Sequence, residues 1–172
     1  ILRCTEQVWL YRGTKDRTYE GEAVNNTARV FRAFVPPQNL HYETHIGSVH
    51  SMPIAAQSCK GLPDQDDWCS ECGEAGGFNA CGYDGVGHAL NWIYNASLKT
   101  PASDSAVRNG TGTLQAFDQT QFFDSRGPFS GFSDQGQVYI PRRCAAKAVA
   151  CKLHLCVAPP AEHAAQYCGF SP

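Results

Sequence analysis

Two stretches of the sequence decide the fold: residues 7–16 read QVWLYRGTKD, and residues 41–50 read HYETHIGSVH. Each begins with the β-branched and aromatic residues that are typical of strands, and each runs into a loop that contains glycine. Between them, apolar residues from about 20 to 34 recur at helical spacing, and Pro36-Pro37 ends the helix. The order strand, helix, strand predicts a parallel pair of strands.

Asp16 and His50 are the candidate functional residues of this unit, since each follows the carboxyl end of a strand. In open α/β sheets, functional groups gather at the carboxyl ends of the strands, so we expect the two side chains to face each other. They fit the last two places of the α/β-hydrolase order Ser, Asp or Glu, then His. The alternative for each residue alone is structural: a loop cap for the aspartate and a packing role for the histidine.

Length and charge exclude several classes of protein. The chain has 172 residues, 42% of them hydrophobic and 17% charged, which excludes intrinsic disorder and suits one domain. Its net charge of -2 argues against nucleic acid as the main partner. No apolar run reaches the roughly 18 residues of a membrane span.

Nine cysteines and three glycosylation sequons, at Asn25, Asn95 and Asn109, favour a secreted chain. The start at Ile1, without Met or a signal-like segment, fits a processed chain or a fragment. The odd cysteine count leaves at least one thiol free or bonded to another chain.

Zinc is the alternative use of the cysteines. Cys69 and Cys72 form a CxxC flanked by Cys59 and Cys81, but a second CxxC is absent from the sequence, so we favour disulfides. A metal-binding module that uses His41, His45, His50 and the CxxC is a further alternative: His41 and His45 share one strand face, but no third ligand has the right spacing to join them. We predict neither a metal nor another cofactor.

The remaining chain is organised more loosely. Residues 53–81 show no periodicity and are predicted as a long loop stapled by disulfides. Asp84 is an N-cap for a helix to about Leu98, and residues 99–112 are a linker. Strands are predicted over 113–117, 137–140 and 152–155. Cys144 and Cys151 bracket the last turn and are well placed to pair.

Several motifs resemble those of extracellular polyhydroxybutyrate (PHB) depolymerases. The helix motif is CGYDG at 81–85 followed by ALNWIY at 89–94, and the matches continue in order with FDQ at 117–119, GQVYIP at 136–141 and CKLHL at 151–155. Upstream, GTKD at 13–16 and GSVHSMP at 47–53 are similar to the acid loop and the histidine loop of those enzymes. The resemblance covers roughly residues 7 to 155.

This resemblance implies an α/β fold: a partial, circularly permuted α/β-hydrolase-like sheet with flanking helices, stapled by disulfides. In that mapping Asp16 orients the imidazole and His50 is the general base. The mapping also implies Cys59–Cys81 and Cys144–Cys151 disulfides. We expect a single incomplete domain over 1–172, with an acid and histidine segment (1–56), a Cys-rich loop plus helix (57–98), the linker, and a strand segment with a divergent tail (113–172).

Two parts of the family pattern are missing from the sequence. No Gly-x-Ser-x-Gly nucleophile motif occurs in the 172 residues, and the string GPFSG at 127–131 has the wrong spacing. The family places its nucleophile before residue 1. After Leu155 the family continues into a His-Gly-Cys stretch of the oxyanion hole, where this chain reads Cys156-Val157-Ala158.

We therefore expect a secreted, PHB-depolymerase-like glycoprotein that is inactive alone, as a fragment or as a non-catalytic relic with a structural or binding role. The alternative is one chain of a split serine esterase whose serine lies on another polypeptide. A length of 172 is short for a full α/β sheet, which favours a second polypeptide that completes the fold, or an extracellular assembly, as the partner.

Overall fold

The computed structural model describes residues 6–19, 21–60, 69–95, 97–98, 112–122, 134–147 and 150–155. The chain divides into two compact units, Ile1–Thr100 and Pro101–Pro172. The boundary lies in the predicted linker 99–112, and the union of both units in one α/β-hydrolase-like domain stays a prediction. Among the described residues, no helix has the length and apolar character that a membrane crossing requires.

The first unit begins with the predicted strand, helix and strand. Strand β1 (Val8–Tyr11) runs parallel to β2 (Leu40–Glu43), and α1 (Gly21–Arg32) crosses between them. A short 3-10 helix, Pro37–Asn39, leads into β2. The parallel pairing is therefore present as the strand–helix–strand order predicts, although β2 ends three residues before the predicted Ile46.

Gly13 brings the loops that follow β1 and β2 into close contact. The ladder continues past the strands through Arg12 N–H to the Glu43 carbonyl at 3.1 Å and Thr14 N–H to the Ile46 carbonyl at 2.8 Å. A Cβ on Gly13 would lie only 2.1 Å from the Ser48 carbonyl oxygen. Glycine is required here because the backbone of the other loop occupies the place of a side chain.

A second sheet overturns the prediction of a long loop over 53–81. Strands β3 (Met52–Ile54), β4 (Cys69–Glu71) and β5 (Phe78–Ala80) form a parallel sheet in the order β3-β5-β4. Each strand has three residues, too few for a period of two to be visible in the sequence. Of the three, β5 lies deepest, with Phe78 and Ala80 among the buried apolar residues of the unit.

The disulfides of this sheet correct the predicted Cys59–Cys81 pairing. Cys59 pairs with Cys69 and Cys72 with Cys81. Because Glu71 of β4 lies opposite Ala80 of β5, the next residues, Cys72 and Cys81, lie side by side, with Cα atoms 4.8 Å apart. Strand register therefore decides the pairing. As predicted, these cysteines staple the segment.

Asn79 connects this sheet to the loop that carries His50. Its side chain is completely buried and its Oδ1 accepts hydrogen bonds from the Val49 N–H at 3.0 Å and the Gly73 N–H at 3.3 Å. Its amide nitrogen donates to Ser70 Oγ at 2.7 Å and to the Glu74 carbonyl at 2.9 Å. A buried amide with both ends satisfied fixes the relative position of the segments it joins.

Helix α2 (Gly85–Ile93) follows the second sheet. Asp84 caps it as predicted, accepting a hydrogen bond from the Gly87 N–H at 2.8 Å. The helix ends five residues before the predicted Leu98. Asn95 has a φ of 56°, a left-handed conformation that is typical of the residue after a helix.

The second unit contains an antiparallel pair, β6 (Gly112–Asp118) and β7 (Gln135–Pro141), followed by the short helix α3 (Arg142–Ala145). Cys144 and Cys151 form the expected disulfide. The predicted strand at 152–155 is wrong, since these residues have no strand conformation. Leu153 and Leu155 are 83% and 76% exposed, so no sheet in the described part of the unit buries them.

We expect Gly13→Ala to destabilise the protein by about 2 kcal/mol, because the new methyl group must displace the backbone of the histidine loop. Gly47→Ala in that loop is the matched control: its Cβ would lie 3.8 Å from Cys72 Sγ, an ordinary contact. Urea unfolding measures both. Equal midpoints for the two variants would contradict the close-approach argument.

Replacing Asn79 by Ala should lower the free energy of unfolding by about 3 kcal/mol, because two N–H groups and a carbonyl lose their buried partner. Amide exchange at Val49 and Gly73 should also become faster. Asn26→Ala, which removes an exposed amide on α1, should change stability by less than about 0.5 kcal/mol. Unchanged exchange at both amides in Asn79→Ala would refute the bridging role.

Candidate functional site

Asp16 and His50 meet where the two loops converge. His50 Nδ1 lies 3.0 Å from Asp16 Oδ2. The Asp16 side chain is 8% exposed and that of His50 is 47% exposed. The structure thus brings together the two residues that the sequence placed at neighbouring strand ends, while their catalytic roles stay predictions. Because an ionised carboxylate can only accept, a neutral His50 carries its proton on Nδ1, and Nε2 is the nitrogen able to take a proton.

The other carboxylate oxygen of Asp16 is also engaged. Oδ1 accepts from the Thr18 N–H at 2.8 Å and the Tyr19 N–H at 3.4 Å, as an aspartate at the start of a turn commonly does. Burial pushes the pKa of Asp16 upward, but the hydrogen bonds from His50, Thr18 and Tyr19 outweigh burial and hold that pKa below its ordinary value. Asp16 is therefore an ionised acceptor at neutral pH.

The loop that carries Asp16 (residues 12–18, the aspartate loop) forms several hydrogen bonds through its backbone. Arg12 Nη2 donates to the Asp16 carbonyl at 3.2 Å, and the Asp16 N–H donates to the Gly13 carbonyl at 3.2 Å. The Lys15 N–H donates to the Ser48 carbonyl at 3.1 Å. Asp16 is thus positioned by its own loop and by the loop that carries His50.

The loop that carries His50 (residues 47–50, the histidine loop) is hydrogen-bonded both to β1 and to β5. Ser48 is completely buried, and its hydroxyl forms a hydrogen bond with the Tyr11 hydroxyl at the end of β1. The next residue, Val49, is bound by Asn79. Burial raises the pKa of Tyr11 despite its bond to Ser48, so the phenol stays protonated and available as a hydrogen-bond donor.

The Asp16–His50 pair lines an open pocket of about 610 Å³, a volume within the usual range for small-molecule sites. The aspartate loop, the histidine loop and the turn at residues 73–76 surround it. The ring of Tyr19 meets that of His50 edge to face, with centroids 5.0 Å apart. A half-exposed imidazole with a buried acid behind it, in a pocket, is suited to proton transfer.

The other two candidate histidines contact Glu43 instead of a metal cluster. Glu43 Oε1 accepts from the His45 N–H at 2.9 Å and lies 3.2 Å from His45 Nδ1, while Oε2 lies 3.8 Å from His41 Nε2. Cys69 and Cys72 of the CxxC are both in disulfides. Within the described residues, no three histidine, cysteine or acidic side chains are grouped to hold a metal ion.

Glu43 also joins β2 to the segment before α2. Its Oε2 lies 3.5 Å from the Tyr83 hydroxyl, and burial together with the Glu43 charge raises the pKa of Tyr83 to about 12. Burial raises the pKa of Glu43 itself, but hydrogen bonds and charge from His45, with His41, bring it below its ordinary value. The two histidines are thereby accounted for as partners of a structural carboxylate.

Of the predicted modification sites, Asn25 and Asn95 are described, and neither lines the pocket. Asn25 is exposed on α1, where its Oδ1 accepts from the Tyr42 hydroxyl, and Asn95 is exposed after α2. Asn109, the GPFSG string, the tail from 156 and the three cysteines at 4, 156 and 168 lie outside the described residues.

Sequence reasoning missed Asn79, Ser48 and Tyr19. A polar residue between Phe78 and Ala80 was the available signal for a buried amide, but it is ambiguous without the strand around it. In the sequence, Ser48 is distinguished only by its place in the GSVHSMP motif. Nothing in the sequence indicates that the Tyr19 ring contacts His50.

Comparison with known proteins agrees with the family to which the motifs pointed. The chain is 28% identical over 151 residues to a polyhydroxybutyrate depolymerase of Talaromyces funiculosus. Its structure matches the crystal structure of a PHB depolymerase from Penicillium funiculosum with a TM-score of 0.66 and 27% identity. A serine-to-alanine variant of a PHB depolymerase complexed with an R3HB trimer matches equally well.

The match is partial. The first alignment covers 87% of this chain but 40% of the Talaromyces protein, and the structural matches cover 86% of this chain and 42% of theirs. No family model matches the chain. The mixed helix and strand structure with its disulfides is thus similar to part of a PHB depolymerase, to which this chain is homologous over that part.

Proposed function

We propose that this chain supplies the acid and the general base of a PHB-depolymerase-like serine esterase. The observation that carries the proposal is the 3.0 Å contact between His50 Nδ1 and the buried carboxylate of Asp16, in an open pocket. In this role Asp16 holds the imidazole in one tautomer, and His50 Nε2 takes the proton of the attacking serine and later returns it to the leaving group.

The fold we propose is the corresponding part of a circularly permuted α/β hydrolase. In support, the acid and histidine loops come early, on a β1–α1–β2 unit, and the strands of the second unit come late. An unpermuted hydrolase places the same acid and histidine after most of its strands. Homology to a PHB depolymerase over most of this chain supports the same assignment.

The nucleophile in this proposal comes from outside the 172 residues, on the same polypeptide or on a second one. The sequence has no Gly-x-Ser-x-Gly motif and lacks the family's His-Gly-Cys stretch after Leu155. An acid and a base alone cannot form an acyl-enzyme, and loss of one oxyanion donor by itself costs about 10²–10³ in rate. These residues alone are therefore inactive.

The substrate class we propose is the ester bond of polyhydroxybutyrate chains. It rests on the similarity to enzymes named as PHB depolymerases, one of which holds an R3HB trimer. Secretion with glycans on Asn25, Asn95 and Asn109 belongs to the same proposal. Three disulfides in the described residues support an oxidising compartment.

A non-catalytic extracellular module is the second candidate. The missing nucleophile motif favours it, because a relic of an esterase would need neither serine nor oxyanion donors. The preserved contact between Asp16 and His50 favours the catalytic role, since a relic has no need to keep a half-exposed histidine on a buried acid.

Labelling with a fluorophosphonate probe separates the two candidates. We expect no labelling of this chain alone, and labelling of a serine when it is co-expressed with the part of the Talaromyces depolymerase that it does not match. His50→Ala should slow labelling by about 10⁴-fold or more, because serine then lacks its base. His45→Ala, which removes an exposed histidine that contacts Glu43, should leave the rate unchanged.

Labelling of the isolated chain would contradict the assignment of the nucleophile to residues outside it. The absence of labelling in every combination would overturn the esterase proposal in favour of the non-catalytic module. Equal loss in His50→Ala and His45→Ala would show that the effect comes from folding.

The pH dependence of stability tests the Asp16 contacts. Because the pKa of Asp16 is lower in the folded state, its stabilisation is fully present above the unfolded pKa of about 3.9 and is lost as pH falls through the folded pKa. Asp16→Asn should therefore cost about 1–2 kcal/mol at pH 7 and progressively less as the pH falls towards 2. Denaturant unfolding at both pH values measures this, with Glu6→Gln as an exposed control; a cost independent of pH would contradict it.

A further inference from the structure

Two cationic side chains line the pocket beside the Asp16–His50 pair. Lys15 and Arg17 flank Asp16 in the chain, both are exposed, and both belong to the lining. Within the described part of the chain, neither has a carboxylate partner at salt-bridge distance. The pocket therefore holds two positive charges that the described acidic residues do not pair.

Asp16 does not neutralise these cations by direct contact. Its two oxygens are taken by His50 and by the N–H groups of Thr18 and Tyr19. The nearby Arg12 binds the Asp16 carbonyl and leaves the carboxylate to its other partners. An anion that enters the pocket therefore meets two cations beside the histidine, together with one carboxylate whose oxygens are already engaged.

The structure makes room for Lys15 along the turn at residues 73–76. Gly73 has a φ of 92°, and a Cβ there would lie 2.5 Å from Lys15 Nζ and 2.8 Å from its Cδ. The Lys15 side chain therefore lies over the backbone of this glycine. Since Asn79 fixes the turn through the Gly73 N–H, the ammonium group rests on a rigid surface of the pocket.

The charge arrangement fits a carboxylate. Hydrolysis of a polyester of hydroxy acids leaves a free carboxylate on the acyl product, and a shortened chain keeps one at its end. We propose that Lys15 and Arg17 form a carboxylate-binding subsite beside the Asp16–His50 pair, which selects hydroxyacyl chains that end in a free acid. The class of ligand rests on the proposed function, whereas the positive subsite rests on the geometry alone.

The test compares an acid with its neutral ester. In NMR titrations of the 172-residue chain, 3-hydroxybutyrate should shift the amide signals of the pocket loops and bind about 3- to 10-fold more tightly than its methyl ester. The preference should vanish in the double variant Lys15→Met/Arg17→Met. It should also fall towards onefold near 1 M salt, where the Debye length is about 3 Å.

The matched control removes the same charge elsewhere. Arg32→Met/Lys60→Met deletes two exposed cations that do not line the pocket and should keep the preference. Equal affinity for acid and ester, absence of binding by both, or the same loss in the two double variants would each overturn the subsite.

Failure of the subsite and failure of the esterase proposal give different results. If fluorophosphonate labelling depends on His50 but the acid is not preferred over the ester, the esterase proposal stands and the subsite proposal is wrong. If the acid preference persists in His50→Ala and no combination is labelled, the subsite proposal stands and the esterase proposal is wrong.

Discussion

The close approach of Gly13 to the Ser48 carbonyl is the contact on which the rest of the site depends. Two parallel strands alone would end with their loops diverging towards solvent. Here the loops remain hydrogen-bonded past the strand ends, which is possible because residue 13 has no side chain. Asp16 and His50 lie three and two residues beyond this contact, and their side chains are thereby brought within 3.0 Å of each other.

The second support of the site is the amide of Asn79. It binds the histidine loop through Val49 and the turn at residues 73–76 through Gly73 and Glu74. One side chain thus fixes the distance between that loop and that turn. The Cys72–Cys81 disulfide closes the same region covalently. The pocket is consequently built between two rigid contacts, one backbone to backbone and one through a buried amide.

Sequence reasoning predicted the β1–α1–β2 unit correctly, because the way a helix connects two strands determines their relative direction. A strand, a helix and a strand imply parallel strands with adjacent carboxyl ends, and this was enough to place Asp16 near His50. It failed where elements are short: β3, β4 and β5 have three residues each and leave no periodic signal. The pairing of the four nearby cysteines depends on the register of those strands, so the disulfides could not be predicted without knowing the strands.

All the residues that form the described pocket and its supports lie between positions 11 and 81. The contacts that hold them join residues 34 apart from Asp16 to His50, 30 apart from Val49 to Asn79 and 6 apart from Gly73 to Asn79. The entropy cost of closing a loop grows only slowly with its length, so the longest of these contacts costs little more than a shorter one would. A single uninterrupted segment of the chain therefore carries the acid, the base, the pocket and both of its supports.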